Sequence, residues 1–243
     1  MRIKKYSLVT LGLVSGLMLG SPIVTGVEIS SQGHVDFQYG DEAQTNGPLR
    51  IEGVSVIHFG SQPLKGDTIV AQAIYTPTEV NHQGQYVPLH IETIDDRGTN
   101  TGWSLQVKQS QEFTEQPEES VTLADLSVLT GAELTLSATE SYDESTISEL
   151  GKSKPSNLGQ KVRLNANFQK IVEAKVDEGI GSWGTYFGDL VDEATTGTAS
   201  NTGESKRVEN QAITLKIPGQ VAKKADVNYQ AQLTWVLVAT PEI

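Results

Sequence analysis

Apolar residues in this chain recur at every second position in short runs, and that period leaves little room for anything but strands. Trp103-Ser104-Leu105-Gln106-Val107-Lys108 alternates without a break, as do Glu133 to Ser137, Val162 to Ala166 and Ala212 to Ile217. Leu49 to Ile57, Val87 to Glu92 and Ile171 to Val176 alternate less regularly. Successive side chains of a strand point to opposite faces, so such runs describe strands with one buried side. Turn-forming clusters separate them: Gly40-Asp41, Asn46-Gly47-Pro48, Asp95-Asp96-Arg97-Gly98 and Pro218-Gly219. Helical period is confined to Leu123–Leu129 and Trp183–Leu190. The expected fold is all-β: an antiparallel β-sandwich, a barrel-like pair of sheets with long polar loops and little helix. The two polar stretches expected to be loops run from Ser141 to Asn157 and from Asp192 to Arg207.

The first residues follow a different logic. Arg2, Lys4 and Lys5 precede an uncharged, mainly apolar run from Leu8 to Leu19, and Ser21-Pro22 and Val24-Thr25-Gly26 follow it. A basic start, a short apolar stretch and small residues are the pattern of a secretory signal peptide, and the run is too short for a membrane span. Residues 1–26 are therefore expected to be the signal peptide, 27–48 a short polar segment, and 49–243 the β-rich domain. Removing three basic and no acidic residues leaves 15 basic against 30 acidic, a net charge of −15. Nucleic acid and anionic lipid both require a basic patch, so neither is an expected partner. Simple electrostatic attraction to an anionic wall polymer is disfavoured for the same reason. There is no cysteine, which removes disulfides, a lipoprotein anchor and thiol chemistry together. The last residues, through Ile243, show no apolar tail and no sorting motif, so the expectation is that nothing beyond the signal segment inserts in a membrane or links covalently to a wall.

Catalytic patterns are lacking. His34, His58, His82 and His90 do not have the spacing of a metal pair, and no serine lies in a nucleophile elbow. Gly151-Lys152-Ser153 imitates the end of a phosphate loop, but Thr146 stands where glycine is needed. Neighbouring acids such as Asp41-Glu42, Glu118-Glu119 and Asp177-Glu178 follow from an acidic composition, and adjacent strand residues point apart. Asp95-Asp96-Arg97-Gly98 reads as a tight turn rather than a calcium loop. No catalytic residue, metal or cofactor is expected.

The most specific feature is a repeated tripeptide. Trp103-Ser104-Leu105 follows Asp95-Asp96-Arg97-Gly98-Thr99-Asn100-Thr101-Gly102, and Trp235-Val236-Leu237 lies near the end of the sequence. With the His58-Phe59-Gly60 ending of the Leu49 segment, Gly179-Ile180-Gly181-Ser182-Trp183 and the Ile217-Pro218-Gly219 turn, the chain resembles the WxL family of Gram-positive surface proteins from about Leu49 to Pro241. The resemblance implies a secreted protein on the cell surface that attaches non-covalently to the cell wall, with peptidoglycan the usual target. It also implies a companion, a membrane-anchored WxL-interacting protein.

On a strand Trp103 shares a face with Leu105, and Trp235 with Leu237, so all four are expected in the core. The alternative is an aromatic platform for sugar rings. Trp183, flanked by glycine and small polar residues, is the better candidate for an exposed ring. Three functions compete: a wall-attachment module, a structural subunit docked on a membrane-anchored partner, and, furthest from the sequence pattern, a secreted glycan-cleaving enzyme.

Overall fold

The computed structural model describes residues 26–33, 47–76, 81, 84–116, 126–143, 153–157, 161–192 and 208–239. The signal segment up to residue 25, residues 193–207 of the second polar stretch and the Leu123–Asp125 start of one helical window lie outside them. The strands run in chain order as β1 (Gly26–Gly33), β2 (Leu49–Val54), β3 (Ile69–Ile74), β4 (Gln85–Tyr86), β5 (Leu89–Asp95), β6 (Trp103–Gln116), β7 (Glu133–Leu136) and β8 (Glu140–Asp143). They continue as β9 (Ser156–Asn157), β10 (Val162–Arg163), β11 (Gln169–Ala174), β12 (Gly181–Phe187), β13 (Val191–Asp192), β14 (Glu209–Ile217) and β15 (Asn228–Ala239).

Three principal sheets share one core. Their strand orders are β1-β15-β6-β11-β9, β10-β7-β14-β3 and β2-β5-β12-β8, and β13 and β4 form a separate pair. Among the described residues every strand pairing is antiparallel, and the sandwich-like fold has no closed barrel. Among the described residues there is no helix. The all-β expectation holds, and its alternation is written into burial. In β5 Leu89, Ile91, Thr93 and Asp95 face inward while His90, Glu92 and Ile94 are half-exposed. In β6 the buried residues are Trp103, Leu105 and Val107 and, further along, Phe113.

The structure differs from the expectation in three places. The window Trp183–Leu190 begins not in a helical turn but in β12, a strand paired on both sides, to β5 and to β8. The stretch Ser141–Asn157 is not wholly loop: its ends belong to β8 and β9. Finally, β1 precedes Leu49 yet pairs with β15 along its length, from Gly26 opposite Val238 to Gly33 opposite Ala231. The sheet thus draws on the polar segment 27–48 as well as on the residues after it.

Candidate functional site

The two Trp-x-Leu elements are neighbours. Strands β6 and β15 pair so that Leu105 lies directly opposite Leu237, with Trp235 opposite Val107 and Trp103 opposite Ala239. The two tripeptides therefore run antiparallel around a leucine pair, with one tryptophan beyond each end. Trp103 and Trp235 are 1% and 0% exposed, and Leu105 and Leu237 are both fully buried. Trp235 meets Phe187 of β12 edge-on, ring centroids 6.0 Å apart, which joins the five-stranded sheet to its neighbour across the core. The core reading of these four residues is the one the structure supports.

Trp183 departs from expectation. It is 4% exposed and is no surface platform. Its position in β12 aims the ring inward, on the same face as Thr185 and Phe187, and its indole N–H donates to the Ile180 carbonyl at 2.9 Å. The indole N–H of Trp103 donates to the adjacent carbonyl, Gly179, at 3.0 Å. Two tryptophans from two strands thus pin consecutive carbonyls of one loop, each satisfying a polar group that burial would otherwise penalise.

The other motif residues serve the same loop. Arg97 grips the buried Asp95 with two hydrogen bonds of 2.8 Å, Nε to Oδ1 and Nη2 to Oδ2, and Nη2 also donates to the Gly102 carbonyl at 2.8 Å. This fork closes the turn Asp95–Gly102, in which Gly98, Asn100 and Gly102 all take positive φ. Asp177 N–H donates to the Asn100 carbonyl at 3.0 Å, so the turn and the loop are stitched together. Two glycines are required here. A Cβ on Gly102 would collide with the Ala174 carbonyl oxygen, and one on Gly179 would stand 2.8 Å from the Trp103 Nε1. Beneath them the Glu178 carboxylate accepts from Ser156 Oγ at 2.8 Å and from the Lys175 N–H at 3.0 Å. Burial works to raise its pKa, but these donors hold it below the ordinary glutamate value.

The outward side of β2-β5-β12-β8 is different in kind. Tyr186 lies opposite His90 on one neighbour and Glu140 on the other, while Gly184 lies opposite Glu92 and Tyr142. The Tyr142 and Tyr186 rings are 4.9 Å apart and the His90 and Tyr186 rings 5.4 Å, so three aromatic rings cross three strands in a row. Ser55 Oγ lies 3.0 Å from His90 Nδ1, and Glu92 lies 3.8 Å from its Nε2. Lys154 holds Glu140 at 2.6 Å and keeps its pKa low. Arg50 bridges Glu52 and Asp96 at the sheet's rim, and the Glu52 contact raises its pKa. No tripeptide marks Tyr142, Tyr186, His90 or Glu92, and only strand pairing brings them together.

Among the described residues no three His, Asp or Glu converge as metal ligands, and no helix is long and apolar enough to cross a membrane. A family model described as WxL domain, surface cell wall-binding, matches residues 31–241. The chain belongs to the WxL domain family. No curated protein and no solved structure compared with it matches. Membership places this WxL domain at the cell surface, in attachment to the cell wall.

Proposed function

We propose that the chain is exported and holds to the Gram-positive wall without a covalent bond, with peptidoglycan as the component it contacts. The observation that carries this reading is the cell wall-binding family match across residues 31–241. The net charge of −12, or −15 without the three basic residues of the signal segment, supports contact with uncharged glycan strands over a phosphate-rich polymer, which would repel it. High salt or a chaotrope should release the protein from cells. Release only by wall-digesting enzyme or detergent would overturn the reading. Purified protein should also sediment with insoluble peptidoglycan.

The attachment is non-catalytic in this proposal. A glycan-cleaving site needs a carboxyl whose pKa is raised so that it can donate a proton. Among the described residues, Glu115, Glu133, Glu140 and Glu178 are all shifted the other way, the first three chiefly by hydrogen bonds from lysines. Labelled peptidoglycan incubated with the protein should yield no soluble sugar above a boiled control. Turnover lost on changing one Asp or Glu would show an enzyme instead.

Docking on a membrane-anchored WxL-interacting protein is the second reading, and one observation favours it. Strand β3 ends its sheet, is bridged on its outer edge only at Ile74, by His58, carries no charge, and leaves Val70 66% exposed. Such an edge is suited to extension by a partner's strand. Pull-down with the partner ectodomain, run against pull-down with peptidoglycan, separates the two.

A further inference from the structure

Each open sheet has two end strands, and in this molecule they are not alike. Natural sheets blunt an open edge with charge or with brevity, because a row of unpaired backbone groups recruits other strands. Here β1 includes Glu28, β2 Arg50 and Glu52, and β8 Glu140 and Asp143, while β4, β9, β10 and β13 are two residues long. Strand β3 has neither protection. It runs from Ile69 to Ile74 without a charge, and among the described residues no large apolar side chain is more exposed than Val70. Leu64, in the segment leading into the strand, is exposed as well. The edge is regular: the Tyr75 N–H donates to the Val208 carbonyl, next to β14, and the Ile74 N–H donates the other way, to the His58 carbonyl at 2.8 Å. These directions alternate along a strand, so Gln72 and Val70 turn their N–H and C=O groups to the open side as Ile74 does. Ile69, Ala71 and Ala73 are buried and hold the strand in place.

We propose that this edge is a dimerisation site, and that its occupant is β3 of a second copy of the chain, antiparallel across a two-fold axis at Ala71. The His58 bridge sets the register. It takes the edge at Ile74 and leaves residues 69–73 open, a stretch centred on Ala71. A copy turned about that centre presents the same stretch to it. Val70 then faces the partner's Gln72, and these residues, whose N–H and C=O groups point to the open side, exchange both hydrogen bonds. The axis repeats the pair. Ile69 faces the partner's Ala73, and Ala71 faces its own copy, so the apolar inner face runs on across the axis. An axis at Gln72 would set Val70 against Ile74, which the bridge has taken, and one at Val70 would set Gln72 against Thr68, outside the strand. Charge also favours a second copy at this place. The chain carries a net charge of −12, so copies repel over much of their surface. Two β3 strands bring no like charges together, and Lys216, opposite Val70 on β14, is already paired with Glu133. Edge pairing buries less than a standard interface, so the dimer is weak and depends on concentration. Taken with the wall-attachment reading, on which the dimer itself does not rest, it lets one body hold while the other detaches.

Sedimentation equilibrium of the purified protein, from about 1 μM to 1 mM, tests the dimer. The average mass should rise from one chain toward two. Gln72→Pro removes an outward N–H that the axis uses twice, and should raise the dissociation constant about tenfold or more. Proline is tolerated on an edge strand where the N–H faces outward, so the single chain should still fold, which its melting temperature shows. Val70→Lys adds a charge to each facing edge at an exposed position, and decides the matter if Gln72→Pro melts early. The chain has no cysteine, so the register can be read with introduced thiols. Val70→Cys combined with Gln72→Cys sets facing Cα atoms about 5.5 Å apart, within disulfide reach, and oxidation should yield a covalent dimer. Either substitution alone meets its copy only diagonally, about 7–8 Å away, and should not. A mass of one chain at every concentration would overturn the dimer and leave the edge to the anchored partner. A dimer indifferent to both Gln72→Pro and Val70→Lys, or cross-linked as readily by the single substitutions as by the pair, would overturn it too. Sedimentation with insoluble peptidoglycan reads wall binding separately from all of these results.

Discussion

Strand β12 separates two groups of aromatic residues that sit within one strand of each other and behave as opposites. On its inward side Phe187 joins Trp103 and Trp235 in the core, Trp183 is buried on the same strand, and the indole N–H groups of Trp183 and Trp103 are spent on loop carbonyls. On its outward side Tyr186 joins Tyr142 and His90 in a row open to solvent. The residues that name the family build the body, and the residues turned toward solvent carry no motif. A motif defined by tryptophan need not mark the place where a ring touches a sugar.

That contrast can be broken by experiment. The largest effect is expected at the centre: Trp235→Ala or Trp103→Ala should cost about 3–5 kcal/mol, the usual range for emptying a buried aromatic site. Denaturant melts measure it, and wild-type stability with lost wall binding would move these tryptophans to the surface group. Gly102→Ala should come next. Positive φ alone costs on the order of 1–3 kcal/mol for a residue with a Cβ, and the Ala174 carbonyl oxygen blocks the added atom. Trp103→Phe keeps most of the bulk but strands the Gly179 carbonyl, so about 1–3 kcal/mol is expected in the same melts. Tyr142→Ala should change stability by roughly 0.5 kcal/mol or less, as exposed positions do. A large loss there would mean that the outward row is structural too.

Acid sharpens the comparison further. Glu178 has a folded pKa below its ordinary value, so its contribution is present above the unfolded glutamate range and is lost as pH falls through the folded pKa. Wild-type stability should therefore drop as pH is lowered from about 4.3, the unperturbed glutamate value, and Glu178→Gln should flatten that part of the profile. Melting curves taken across the acid range read it directly. An unchanged slope would show that the Ser156 and Lys175 contacts do not stabilise the loop.

Much of the inward group is legible in the amino-acid sequence. Trp103 to Lys108 and Ile213 to Ile217 alternate without a break because each inward residue is large and apolar and each outward one polar. Strand β12 is concealed for the opposite reason. Gly181 and Gly184 contribute no side chain to an alternation, and Trp183 and Phe187 fall four apart, which imitates a helix. The same glycine neighbours suggest exposure for Trp183, whereas its strand is paired on both sides, to β5 and β8, far away in sequence, and the ring is buried. Strand β3 leaves only a faint pattern because Ala71 and Ala73 bury little surface. The outward aromatic row has no sequence signature at all: His90, Tyr142 and Tyr186 meet only through register, which a single sequence does not carry.

The placement of β15 sets the timing of folding. It lies between β1 and β6, so an interior strand of the largest sheet is also the last described strand of the chain. Until it arrives, β1 has no partner in that sheet, Leu105 lacks its facing leucine, and Phe187 lacks the indole it packs against. Closing such distant pairs is slow, because the loop must be ordered before its contacts repay the entropy. As the chain emerges from N- to C-terminus, this sheet stays open until β15 has appeared, and then closes around Trp235. The export proposed above is served by the first condition, because an unlocked chain can thread a narrow channel, and attachment at the wall by the second.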